Sequence, residues 1–214
     1  MTALLAVLLR RYARRPVFWL PVAVPPTVAL AFLVATSPLA VLWTRHRPRP
    51  PEAGLVVLGL GLVVVLLTFL VSHWLLAEEE QRGTLVLLLA GPSADATPAA
   101  LLLVGICAGV LAAVAAFALA VGGLAPTQGL GYAWVLAQGA VRVGILVVTV
   151  SSLGLMSAAI RPRWDLAVAA AAAVLAPAAV FLEAAGTGSL VALAIAALMA
   201  WWLAWGWRRR RSGA

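Results

Sequence analysis

Few side chains in this 214-residue sequence can do chemistry, and they are scattered: two histidines, one cysteine and seven carboxylates. Nucleophilic hydrolysis needs a serine or cysteine, a base and an orienting acid within hydrogen-bond reach. No such constellation is present, so no catalytic residue is expected. His46 and His73 lie far apart, and Cys107 stands alone in an apolar run, so no metal site is expected either. Cys107 has no disulfide partner and reads as a small packing residue. His73, between Ser72 and Trp74, reads as a hydrogen-bonded histidine near a helix end, with a gate or proton site as the functional alternative. Arg142 and Glu183 fall within or beside apolar segments. A guanidinium inside a bilayer costs at least about 3 kcal/mol unless it is partnered or reaches the interface. Together they form either a structural pair or a contact in a lateral cavity for an amphiphilic or anionic substrate.

The elements that must carry these residues are apolar. The chain is 64% hydrophobic and 10% charged, with a mean hydropathy of +1.08. A soluble domain is about half apolar and about a quarter charged. This composition excludes most soluble enzymes, disorder and coiled coil. The apolar residues fall in blocks of about twenty, enough for a helix to cross roughly 30 Å of hydrocarbon. The fold class is therefore all-α, a polytopic membrane protein with six transmembrane helices. The predicted spans are Val22 to Trp43, Leu55 to Leu76, Ala99 to Val121, Tyr132 to Ala158, Leu166 to Leu182 and Ser189 to Trp207. The fourth is long enough to tilt or break. The fifth is short, and with the sixth it could instead form one re-entrant hairpin. Gly105 and Gly109, four apart in the third span, allow close helix approach.

All fifteen basic residues are arginine, and the formal charge is +8. They cluster at segment ends and not on one face, which suits topology and anionic headgroups and excludes nucleic acid as a partner. With six spans, Arg10, Arg11, Arg14, Arg15, Arg82, Arg161, Arg163 and Arg208 to Arg211 share one side, against Arg45, Arg47 and Arg49 on the other. That asymmetry predicts a multi-pass protein of the cell inner membrane with both termini cytoplasmic. Trp43, Trp74, Trp134, Trp164, Trp205 and Trp207 fall near the predicted interfaces. Residues 1–19 read as an N-terminal cytoplasmic interfacial helix, with Pro16 and Pro21 bending the entry into the membrane. The apolar start precedes its arginines and has no small-residue cleavage site, unlike a signal peptide. Residues 20–207 form the transmembrane domain, and 208–214 a basic tail. Asp165, after Arg161-Pro162-Arg163-Trp164, suits a helix N-terminus at a cytoplasmic anchor.

The stretch Ala77-Glu78-Glu79-Glu80-Gln81-Arg82-Gly83-Thr84-Leu85-Val86-Leu87-Leu88-Leu89-Ala90-Gly91-Pro92 breaks the apolar pattern. Three glutamates at a helix C-terminus oppose the helix dipole and the anionic leaflet. Arg82-Gly83 ends the helix, Thr84 can cap a new one, and Gly91-Pro92 stops it. The pattern predicts a short cytoplasmic helix over about 79–92, too short to span and too apolar to lie bare. It either dips into the bilayer or docks another protein.

This stretch resembles the signature of ABC-2 type transporter permeases, in which a Glu-rich end of the second helix leads into Gly-Thr-Leu, a Leu-Leu pair and a Pro. The matching positions are Glu78, Glu80, Gly83, Thr84, Leu85, Leu88, Leu89 and Pro92. The layout is similar throughout, and the compact length also resembles the haem-exporter B type. Val86 stands where the family commonly has Glu, and Gly91 where Thr or Ser is frequent. The resemblance implies a permease subunit of an ABC exporter for a hydrophobic or amphiphilic substrate. It further implies dimerisation, either as a homodimer or with a second permease, and a coupling helix docked on a separate ATPase. No phosphate-binding loop is present, and the chain has no Lys at all. ATP and Mg would therefore be bound by the partner, and no cofactor by this chain. In that role Glu78, Glu79 and Glu80 would pair with the ATPase or with Arg82, while Leu85, Leu88 and Leu89 filled its surface groove. The alternative is an ATP-independent membrane scaffold or an ion-coupled transporter.

Overall fold

The computed structural model describes residues 2–36, 52–85, 94–160, 164–184 and 186–211. It is all-α, a bundle of seven helices among those residues: α1 Thr2–Tyr12, α2 Pro16–Thr36, α3 Ala53–Gln81, α4 Thr97–Gln128, α5 Leu130–Ile160, α6 Trp164–Ala184 and α7 Thr187–Arg211. Five of them, α2 to α5 and α7, are long and apolar enough to cross a membrane. The described apolar stretch of α6, Ala167–Val180, is about 21 Å long at the helical rise. α6 as a whole has 21 residues, about 31 Å, and five long apolar helices stand where the sequence predicts six spans.

Sequence and helix ends differ where helices leave the hydrocarbon. α3 has 29 residues, about 43 Å, so its Glu78–Gln81 end projects beyond an apolar layer of roughly 30 Å. α4 and α5 run on until a single residue, Gly129, separates them. Its φ of +90° is a conformation that favours glycine. Residues 1–19 are likewise not one helix. α1 ends at Tyr12, and α2 begins at Pro16, a residue suited to a first helical turn. Residues 208–211 continue α7 as its last turn and are not a separate tail.

α3 and α5 form the central pair, with α4 against both. Their closeness depends on small residues. A Cβ on Gly154 of α5 would lie 2.6 Å from the Phe69 carbonyl oxygen of α3. Gly105 and Gly109 of α4 face Ser72 and Thr68 of α3, each within 2.6 Å of a built Cβ. Small residues bring helix backbones together where apolar burial against lipid gives no drive. Cys107, two residues from Gly105, is exposed and does not pack inside the bundle.

Two apolar clusters fill the interior. One includes Val64, Phe69, Phe117 and Leu146, and the other Leu8, Tyr12, Trp74, Leu101 and Trp201. Trp134 and Trp207 are exposed, as an interfacial belt requires, whereas Trp74 and Trp205 turn inward.

Candidate functional site

The second cluster lies at the arginine-rich end of the bundle, beneath the candidate coupling stretch. Arg82 caps α3 by donating its backbone N–H to the Glu78 carbonyl, and Gly83 follows at φ +68°. A left-handed glycine just beyond a helix reverses the chain while satisfying terminal carbonyls. Thr84 and Leu85 resume helical conformation. Any forward cap by Thr84 would fall on residues outside those described. Its hydroxyl reaches back, donating to the Glu79 carbonyl at 3.2 Å and also to the Glu79 carboxylate. Because the reversal returns the chain over the bundle, Leu85 is buried in its own protein at 4% exposure, unavailable to a partner's groove. Leu88, Leu89 and Pro92 lie outside the described residues.

Each glutamate has a partner within the chain. Glu78 pairs with Arg82 one turn on. Glu79, wholly buried, has Arg11 Nη1 3.2 Å from its carboxylate and accepts a hydrogen bond from Tyr12 Oη. Glu80 pairs with Arg208 of α7 at 2.5 Å. Arg208 also donates to the carbonyls of Ala158 and Ala159, 3.3 and 3.0 Å away, which are terminal acceptors of α5. Beyond the connection, Asp95 pairs with Arg209, and Trp201 Nε1 donates to the Pro98 carbonyl at 3.4 Å. The α3–α4 connection is thus tied to α1 through Glu79 and to α7 at both its ends.

Tyr12 stacks edge-on to Trp74, with ring centres 5.7 Å apart. Burial raises its phenol pKa far above the ordinary value, and the hydrogen bond to the Glu79 anion and that anion's field add to the shift. The ring is held neutral as a donor. Sequence reasoning missed Arg11, Tyr12, Asp95, Arg208 and Arg209 as members of this cluster. Leu4 or Leu5, Leu8 and Tyr12 do recur on one face of a helix, which was the available signal for Tyr12.

At the opposite end a cavity of about 340 Å³ opens between α3, α5 and α6, lined by Glu52, Leu55, Val135, Gln138, Arg142 and Glu183 among others. The sequence pairs Arg142 with Glu183. Instead Arg142 Nη1 donates to the Leu182 carbonyl at 2.9 Å, and Glu183 is exposed on the same cavity. The correction has a simple cause: Leu182 is in the last turn of α6, whose carbonyls lack intrahelical donors. His73 is buried in α3, its Nδ1 2.8 Å from Ser157 Oγ of α5. Ser157 donates to the Gly154 carbonyl, so it accepts from the histidine Nδ1–H. His46 and the predicted outer arginines lie outside the described residues, as do residues 161–163 and the Asp165 side chain. Among the described residues no three His, Cys, Asp or Glu converge as a metal site.

Comparison with known proteins gives no match to a family model, a curated protein or a solved structure. Sequence and fold together establish an all-α, multi-pass membrane protein, consistent in general terms with a role in transport.

Proposed function

We propose that this chain is the permease subunit of an ATP-driven exporter whose ATPase is a separate polypeptide. The observation that carries the reading is the stretch from Glu78 to Pro92, whose residues resemble the ABC-2 permease signature. The ties around it support the reading mechanically. A force applied to the α3–α4 connection passes through Glu79 to Arg11 and Tyr12, and through Glu80 and Asp95 to Arg208 and Arg209. Such links let a docked motor move α1 and α7 together with α3. The ATPase binds ATP and Mg, and two permease chains pair in the inner membrane with both termini cytoplasmic. The cavity beside Arg142 is the candidate path for a hydrophobic or amphiphilic substrate.

The internal pairing of all three glutamates favours a second reading, an ATP-independent scaffold or ion-coupled transporter in which the cluster only fixes a turn. Gentle detergent extraction of the tagged chain separates the two. The permease reading expects co-purification of a subunit bearing a phosphate-binding loop, with ATPase activity, and its release by L88D/L89D. If no such ATPase accompanies the wild-type chain, the permease reading fails.

A further inference from the structure

Four of the seven carboxylates of this chain are paired with arginines, and among the described residues Arg10, Arg14, Arg15 and Arg210 are left without a partner. Glu78, Glu79, Glu80 and Asp95 pair with Arg82, Arg11, Arg208 and Arg209. Glu52 and Glu183 line the cavity at the other end of the bundle. Among the described residues the guanidinium groups of Arg10, Arg14 and Arg15 have no ion-pair or hydrogen-bond partner. Asp165, whose side chain is not described, can neutralise no more than one of them.

These three arginines, with Arg11, Ala6 and Val7, line a concavity of about 670 Å³ at the elbow between α1 and α2. That volume is within the range of small-molecule sites. Its rim is apolar as well as charged. Val7 is 63% exposed within it. Trp19 is exposed beside the elbow, its indole N–H donating to the Ala13 carbonyl at 2.7 Å, and the neighbouring Leu20 is exposed too. A soluble anion would satisfy the arginines but make no use of exposed Val7, or of Trp19 and Leu20 where α2 enters the apolar layer. A lipid with an anionic phosphodiester headgroup satisfies both, its phosphate against the guanidinium groups and its chains along the apolar rim.

We propose that the α1–α2 elbow binds one anionic phospholipid through Arg10, Arg14 and Arg15. Arg11 is withdrawn from this role by Glu79, so the site is separable from the cluster that holds the fold. It is also independent of whether an ATPase docks on the chain.

The test uses the full chain in a mild non-ionic detergent, with thermal unfolding titrated at constant ionic strength by short-chain phosphatidylglycerol, phosphatidylcholine of equal chain length, or inorganic phosphate. The expected result is a saturable rise in the unfolding midpoint with phosphatidylglycerol alone. R10Q/R14Q/R15Q should weaken apparent phosphatidylglycerol affinity by at least about tenfold. R45Q/R47Q/R49Q, an equal change of charge, should leave it unaltered. An equal response to phosphatidylcholine overturns the site, and an equal response to phosphate overturns the lipid as occupant. Undiminished affinity in the first triple variant, or equal loss in both, overturns the assignment to these arginines. If the first triple variant does not fold, R10K/R14K/R15K and the single variant R14Q decide by the same titration, loss of phosphatidylglycerol selectivity in the glutamine variant being required.

Discussion

A carboxylate shut away from water is costly unless its oxygens are partnered, and Glu79 meets that condition with donors from Arg11, Tyr12 and Thr84. Removing one side of such a network strands the other. Glu79→Ala should therefore destabilise the protein by about 3–5 kcal/mol, and Tyr12→Phe by about 1–2 kcal/mol. Both are read from unfolding midpoints in detergent, and a loss below about 0.5 kcal/mol for the alanine variant would show that the network is not formed. Tyr12 also predicts a pH dependence. Its folded pKa is raised above the unfolded value of 10.0, so its contribution is complete below pH 10 and declines as pH rises above it. Alkaline unfolding between pH 10 and 12 should be shallower in Tyr12→Phe than in the wild type. A wild-type slope retained in the variant would count against a buried, raised phenol.

Among the helices, the α3–α5 contact at Gly154 and the last turn of α7 carry the sharpest consequences. The Phe69 carbonyl is backbone and cannot swing aside, so Gly154→Ala should cost about 1–3 kcal/mol by forcing α3 and α5 apart. Gly144, on the same helix, has open space where a Cβ would go. Gly144→Ala should be neutral or stabilise by up to about 1 kcal/mol. Equal effects of the two substitutions would contradict the close packing. Arg208→Gln should raise amide hydrogen exchange over Gln81–Leu85 and the end of α5 by about tenfold, without global unfolding, because Glu80 and two terminal carbonyls lose their shared donor. Unchanged exchange there would place the tie elsewhere.

At the level of the whole chain, α1 and the end of α7 meet the same end of α3, through Glu79 and Glu80. In a Cys107→Ser background, Thr2→Cys and Ser212→Cys should react with an impermeant thiol reagent from the same side of sealed vesicles. Labelling from opposite sides would exclude this topology. The long apolar helices were legible because hydropathy and span length are local quantities, and Glu78 with Arg82 is a pair that helical spacing suggests. The Arg11–Glu79 and Arg209–Asp95 pairs are 68 and 114 residues apart, and no period in the sequence encodes them. The Gly129 reversal was hidden for another reason. Gly122, Gly123 and Pro126 weaken helix propensity there, yet α4 continues to Gln128, with Leu124 buried in the core. Leu85 was legible as apolar, but which surface would cover it depended on the turn at Gly83.

The clasp on the α3–α4 connection also sets an order in time. A chain made from its N-terminus exposes Glu80 and Asp95 long before Arg208 and Arg209 exist. Until the final helix is inserted, Glu78 can find Arg82 and Glu79 can find Arg11 and Tyr12, but Glu80 and Asp95 wait for their counter-charges. The connection therefore closes last, when the final turn of the final helix arrives. A chain truncated before that turn would present an open, acidic loop, a mark by which an unfinished molecule differs from a finished one.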